Sequence, residues 1–296
     1  VTAAPGRHVA VVGPTGSGKS RLAMRIAADD PEFEIVSVDA MCVYREMDIG
    51  TAKPTVADRA AVRHHLVDIV DPSDDYTLAR FQRDCAAAVR DIEARGHRAL
   101  LVGGTGLYVR AAVDGLDVPP RFPDVRDRLE ALSDTAELYR RLQSADPLAA
   151  TKMEPTNRRR IVRALEVTEG SGRPFSSFGP GLDAYPATQF RLIGLWPARQ
   201  SLGERLAQRF AQMLDAGFVD EVRALAKRDG GVSRTARQAL GYRQLFEHVE
   251  TGRPLDECID TAVKATVQFA RRQRVWFRRD PRIAWLPATT KEVPAL

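Results

Sequence analysis

Near the start of the chain, Gly13-Pro14-Thr15-Gly16-Ser17-Gly18-Lys19-Ser20 sets glycines, a lysine and a hydroxyl at the spacing G-x-x-x-x-G-K-[ST]. Glycines there let successive backbone N–H groups curl around phosphate oxygens, and a helix opening at the lysine adds a favourable dipole. Lys19 supplies a point charge, and the Ser20 hydroxyl a ligand for Mg²⁺. The loop is a phosphate binder that leaves the reaction open.

Phosphate chemistry also calls for an acid. In nucleotide-hydrolysing proteins with such a loop, a second strand ends in an aspartate that holds Mg²⁺. Here the apolar run 98–102 ends in Gly103-Gly104-Thr105-Gly106, without an acid, whereas the run 34–38 ends in Asp39. Asp39 has two chemistries open to it: holding Mg²⁺, or taking a proton from a nucleophile. Gly103 and Gly104 would let backbone approach a ligand and present the Thr105 hydroxyl; a plain tight turn is the other reading of those residues.

Positive charge is uneven. Lys152, Arg158, Arg159, Arg160 and Arg163 stand against Glu154 alone, and Lys264, Arg271, Arg272, Arg274, Arg278, Arg279 and Arg282 against Asp280. Phe269, Trp276, Phe277 and Trp285 interleave with the second run. Cations pair with phosphates while aromatic faces take stacked bases, a mixture that suits loop or single-stranded RNA; a solvated helix face is the plainer reading. Arg205 and Arg209, four apart, share a helix face, and on spacing alone read as surface charge. His64 and His65 show no partner pattern and read as structural.

These residues need elements to hold them. Apolar runs at 9–12, 34–39 and 98–102 read as buried strands, with helices over 19–28 and 77–95. That alternation implies βαβ units and a parallel sheet covered by helices. Pro119, Pro120 and Pro123 break the pattern, and only helical signals follow. Asp134 with Glu137 has capping-box spacing, Asn157 can cap a helix running to Gly170, and 170–186 is a loop. A strand over 189–195 returns to the sheet. Ser201 with Glu204 marks another helix start, and Gly217 a helix end. The last helix spans 255–278, with Ile259, Val263, Val267 and Ala270 on its apolar side. The expected fold is α/β: a P-loop NTPase-like core with a parallel sheet (1–117), an all-helical insertion (118–180), then core completion and basic C-terminal helices (181–296).

Composition agrees. The 296 residues are 44% hydrophobic and 28% charged with net charge +5, as in a globular chain able to bury a core. No apolar run reaches the ~20 residues of a membrane span, and no secretory leader pattern opens the sequence. Cys42, Cys85 and Cys258 are scattered and lack histidine partners, so a reducing, cytoplasmic setting without zinc or disulfides is expected.

Taken in order, the residues resemble the tRNA dimethylallyltransferases. The similarity rests on 13–20, Ser37-Val38-Asp39, Tyr44-Arg45-Glu46-Met47-Asp48-Ile49-Gly50-Thr51-Ala52-Lys53-Pro54 and His64-His65-Leu66-Val67-Asp68. It continues through Gly103-Gly104-Thr105-Gly106-Leu107-Tyr108, Arg163-Ala164-Leu165-Glu166-Val167, Gly241-Tyr242-Arg243, and Arg271-Arg272-Gln273 with Trp276. The resemblance implies transfer of a dimethylallyl group from its diphosphate to N6 of adenosine 37, beside the anticodon of tRNAs reading codons that begin with U. The phosphate loop would then hold dimethylallyl diphosphate, with Lys19 and with Mg²⁺ at Ser20. Asp39 would be the general base, and Thr105 with Arg209 would stabilise the bridging oxygen as the C–O bond breaks. By the same carry-over Asp39, Ala40, Met41, Cys42, Thr105, Arg126, Arg163, Ala164, Leu165, Glu166, Val167, Gln238, Gly241, Tyr242, Arg243, Arg271 and Arg272 are expected tRNA contacts. The insertion would close over the anticodon loop and the last helix grip the stem, with the protein a monomer.

Ala40 and Cys42 stand where many relatives have Ser and Gln, so the resemblance carries side-chain contacts less far at those two positions. Arg158 replaces an acid common after Asn157, a change toward phosphate contact. The zinc-finger extension of eukaryotic relatives is not in the sequence, so the bacterial form is the one resembled. Three other activities compete: prenylation of free adenine nucleotides, which has little use for the insertion and basic helix; a small-molecule kinase, which the string 48–54 disfavours; and nucleotide-regulated RNA binding without chemistry. Whether the loop also takes ATP stays open.

Overall fold

In the computed structural model, residues 7–196 and 202–287 are described. The chain divides into two units, Val1–Gly115 with Pro186–Leu296, and Leu116–Tyr185. The large unit begins β1 (His8–Val12), α1 (Lys19–Asp29), β2 (Phe33–Ser37), α2 (Val56–Ala61), β3 (His64–His65), α3 (Leu78–Ala94), β4 (Arg98–Gly103), α4 (Gly106–Asp114). The small unit holds α5 (Pro123–Ala131), α6 (Thr135–Ala145), α7 (Pro147–Thr151) and α8 (Arg158–Ser171). The large unit resumes with β5 (Phe190–Trp196), α9 (Leu202–Asp215), α10 (Phe218–Ala226), α11 (Arg234–Arg237), α12 (Tyr242–Thr251), α13 (Leu255–Phe277) and β6 (Ala284–Pro287).

Among the described residues the strands form one parallel sheet in the order β3-β2-β4-β1-β5-β6. β1 and β2 are buried at every position, as strands covered on both faces must be. Alternate residues Val9, Val11, Ile35, Leu100, Val102, Ile193 and Leu195 pack on Leu22, Ala23 and Ile26 of α1. The small unit has its own core, where Leu129, Leu138 and Leu142 meet Ile161, Val162, Ala164 and Leu165. No helix among the described residues is long and apolar enough to cross a membrane.

Local differences from the sequence pattern have physical causes. β2 stops at Ser37, although Val38 N–H still bonds Val102 O at 2.8 Å, so Asp39 lies in the following loop. The short edge strands β3 and β6 carry no alternation long enough to read. Asp134 caps α6 and Asn157 caps α8 as expected, but Glu137 pairs with Arg140 rather than closing a box. Gly217, at φ 95°, both closes α9 and opens α10. The start expected at Ser201 lies outside the described residues. On α13 the buried side is Cys258, Ala262, Ala270, Gln273 and Phe277, while Ile259, Val263 and Val267 are only half-buried, because the smaller residues let the helix lie close against α9 and α12.

Candidate active site

The register of the sheet places three loops side by side. Val12 pairs with Gly103 and Ser37 with Val102, so the loops after β1, β2 and β4 leave the same carboxyl edge. That edge is where ligands bind in open parallel sheets. Gly16 and Gly18 take φ of 76° and 87°, turning the first loop into α1, whose N-terminus has no side-chain cap and no acid in its first turn. Uncapped N–H groups at a helix start suit an anion. Ser17 is 1% exposed, and its Oγ has no hydrogen-bond partner among the described residues. A buried hydroxyl left this way is unfavourable until a ligand supplies an acceptor.

Charge collects in the same place. Burial lowers the proton affinity of Lys19; Asp39 offsets this and Arg209 adds to it. Burial likewise lowers that of Arg209, with Cys42 and Asp39 offsetting. Lys19 Nζ makes a long 3.5 Å contact with Pro14 O, and among the described residues neither cation forms an ion pair. Two partly desolvated cations that share one nearby carboxylate leave positive charge in excess, which suits an anion. Asp39 Oδ1 accepts from Met41 N at 2.8 Å and Cys42 N at 3.3 Å, which fixes the carboxylate and leaves Oδ2 to face another partner. Burial and the nearby Asp39 push the Cys42 thiol up, so it stays protonated, its Sγ 3.9 Å from Thr51 O. Thr105 sits at the N-cap of α4 without capping it, so its hydroxyl is not committed to the helix.

Gln273 falls inside a family-like string, yet nothing in the sequence gives it a role. From the buried side of α13 its Oε1 accepts from Thr15 N at 2.9 Å, and its Nε2 donates to Gly104 O at 2.7 Å. Gly104 is glycine for a reason: a Cβ there would lie 2.6 Å from Gln273 Nε2 and 3.0 Å from Gly13 O. In the fold Gln273 lies between buried Ala270 and Phe277, where a polar group must find partners.

The segment 48–54 is a scaffold. Glu221 of α10 accepts from the backbone N–H groups of Asp48 (2.9 Å), Ile49 (2.8 Å) and Gly50 (3.4 Å), and from the Tyr242 hydroxyl at 2.5 Å. Buried Lys53 donates to Tyr44 O at 2.6 Å and Asp68 Oδ1 at 2.5 Å and pairs with Asp48. His65 Nε2 lies 2.7 Å from Glu34 Oε2, in keeping with a structural role. Desolvation pushes the Glu34 carboxyl up, but hydrogen bonds from Arg95, His65 and His97 outweigh it and hold it at about 2.

The residues expected at tRNA divide by exposure. Gln238, Arg243, Arg271 and Arg272 are exposed, and Ala40 and Met41 half-buried. In the small unit, buried Glu166 holds Arg163 at 2.7 Å and Arg126 at 3.3 Å and accepts from Phe122 N, which brings both arginines together. Ala164, Leu165 and Val167 are fully buried, as are Tyr242 and the backbone at Gly241, so their side chains shape the protein rather than touch a ligand. Arg158, expected near phosphate, instead donates to Glu130 O at 3.1 Å and to Leu132 O, closing the end of α5. Arg282 is committed to Asp114 and Asp280, and Arg274 stacks 4.0 Å over Trp196.

Fold and site together define an α/β protein with a P-loop-like loop at the sheet edge, beside a fixed carboxylate and a hydroxyl that caps no helix. The chain matches the IPP transferase family over residues 42–280 and belongs to it. It is 47% identical over 282 residues to the tRNA dimethylallyltransferase of Pseudarthrobacter chlorophenolicus, covering 94% of this chain and 92% of that protein. Among solved structures it resembles the full-length tRNA isopentenylpyrophosphate transferase of Bacillus halodurans, with TM-score 0.68, 35% identity, and 95% and 89% of the two chains covered. It also resembles a eukaryotic dimethylallyltransferase captured acting on tRNA, with TM-score 0.77, 27% identity, and coverage of 95% and 74%.

Proposed function

We propose that the protein transfers a dimethylallyl group from dimethylallyl diphosphate to N6 of adenosine 37 in tRNAs reading codons that begin with U, releasing diphosphate. One observation carries the reading. Lys19 and Arg209, without ion pairs among the described residues, share the field of Asp39, beside the unpartnered Ser17 hydroxyl and the uncapped start of α1, and Thr105 follows Gly104, where a Cβ would lie 3.4 Å from Lys19 Nζ. Asp39, held through Oδ1, takes the proton from the exocyclic amine on Oδ2 as the nitrogen lone pair bonds to C1 of the prenyl group. The C1–O electron pair departs with the diphosphate, where Lys19, Arg209 and the Thr105 hydroxyl face the growing charge. Preorganised donors of this kind are worth ~2.7–4 kcal/mol each. The adenine must leave its stack to reach the site.

Mg²⁺ fits as an ion held mainly by the substrate. The described residues contain no cluster of three His, Cys, Asp or Glu able to hold a metal, whereas Ser20 offers an exposed hydroxyl at the start of α1. Bound there with the diphosphate, Mg²⁺ would neutralise leaving-group charge. Arg126 and Arg163 of the small unit, with Gln238, Arg243, Arg271 and Arg272, are assigned to the anticodon stem-loop. A reducing cytoplasm is assigned from the scattered spacing of Cys42, Cys85 and Cys258 in the sequence.

The test incubates the protein with Mg²⁺, dimethylallyl diphosphate and unmodified tRNA, and looks for N6-dimethylallyl adenosine by nucleoside mass spectrometry. Product on tRNA and none on free AMP is expected. Product on AMP alone would move the protein to nucleotide prenylation, and ATP hydrolysis without prenyl transfer would reopen the kinase reading.

A further inference from the structure

We infer that Gln273 is a positioning residue of the diphosphate site, holding the phosphate loop and the Thr105 loop at one fixed separation. The inference rests on the diphosphate reading and adds to it a group that does not itself touch the substrate. Three observations support it. First, one side chain bonds both loops from opposite ends of its amide, to Thr15 N and Gly104 O, across sequence separations of 258 and 169 residues. Second, the junction is tight: Gln273 is 6% exposed, and a Cβ on Gly104 would sit 2.6 Å from its Nε2 and 3.4 Å from Lys19 Nζ. The lysine, the glycine carbonyl loop and the amide therefore meet at one point. Third, the chemistry admits few substitutes. The glutamine amide offers a donor and an acceptor on separate atoms at that reach; a carboxylate keeps the acceptor alone, a lysine the donor alone, and an aliphatic chain neither.

The function of the bridge follows from what the two loops do. Lys19 comes from one and Thr105 from the other, and both must address a single leaving group. Released from the amide, each loop would sample its own positions, and the two donors would no longer be preset to one geometry. Gln273 also lies in the same turn of α13 as exposed Arg271 and Arg272, so the outward side of that turn is assigned to RNA while the inward side sets the diphosphate loop.

The experiment compares Gln273→Glu, which keeps size and acceptor but loses the donor, with Gln273→Met, which keeps length and loses both. Transfer kinetics are measured with each substrate varied in turn, and binding of inorganic pyrophosphate and of tRNA is measured by calorimetry. We expect kcat to fall about 10- to 100-fold in both variants, the range for a misplacement of an ångström or less. KM for dimethylallyl diphosphate and the pyrophosphate Kd should rise, while KM and Kd for tRNA hold. Wild-type kinetics in both variants, a rise in KM confined to tRNA, or a loss that disappears once activity is corrected for the folded fraction would each overturn the inference. Failure of the diphosphate reading looks different: there the wild-type protein itself neither transfers from dimethylallyl diphosphate nor binds pyrophosphate.

Discussion

Two regions of the large unit are built from charged and small residues, and they treat charge in opposite ways. Around segment 48–54, every charge is answered: Lys53 by Asp48, Asp68 and Tyr44 O, Asp68 also by Arg59, and Glu221 by backbone N–H groups and the Tyr242 hydroxyl. Around loop 13–20, Lys19 and Arg209 have no ion pair among the described residues, and the Ser17 hydroxyl has no acceptor. The first region satisfies its own polar groups, and the second leaves some of them without a partner among the described residues. The contrast teaches that a string which carries family resemblance can be a scaffold whose polar groups are all spoken for. The family match over residues 42–280 takes in string 48–54 and not loop 13–20, yet the residues of that string hold a shape.

This contrast can be broken or sharpened. The largest effect belongs to the incomplete region: Asp39→Ala and Thr105→Ala should each lower turnover by about three orders of magnitude while sparing tRNA affinity. Steady-state kinetics beside filter binding decides it, and equal losses of binding in both variants would remove the catalytic assignment. The self-satisfied region should respond in stability instead. Glu221→Ala leaves three backbone donors and a tyrosine hydroxyl without their acceptor, a cost of about 2 kcal/mol that a shifted urea midpoint would show. Turnover per folded molecule should hold; its collapse at unchanged stability would make segment 48–54 part of the chemistry after all. The smallest effect lies outside both regions. Arg271→Ala combined with Arg272→Ala should weaken tRNA binding and flatten its salt dependence, by about 0.7 to 0.9 in slope for each phosphate no longer neutralised. An unchanged slope would return both arginines to the role of solvated surface.

What can be read from sequence divides along the same line. Loop 13–20, Asp39 and Gly103-Gly104-Thr105 are legible because each follows a strand, and parallel strands deliver their carboxyl ends to one edge. Arg209 comes only from resemblance, since nothing in the spacing of Arg205 and Arg209 says which face of α9 meets the loop. Glu221 and Gln273 are illegible because their partners are set by how α10 and α13 pack, and many residues separate them from the backbone they hold. Exposure is equally hidden: in Arg163-Ala164-Leu165-Glu166-Val167 the helix turns three of the five into core and makes Glu166 the clasp between two arginines. Arg158 belongs by charge to a ligand and by position to the end of a neighbouring helix.

The strand order has a consequence for how the molecule is made. β1 pairs on one side with β4 and on the other with β5, which begins only at Phe190. As the chain leaves the ribosome, β1, β2 and β4 can assemble early, yet one edge of β1 then waits unpaired while the whole small unit is synthesised. An apolar strand with an open edge is a template for wrong partners. The small unit carries a core of its own and can fold during that interval. The vulnerable moment of biogenesis therefore falls between the emergence of residues 103 and 196, and closes when β5 docks.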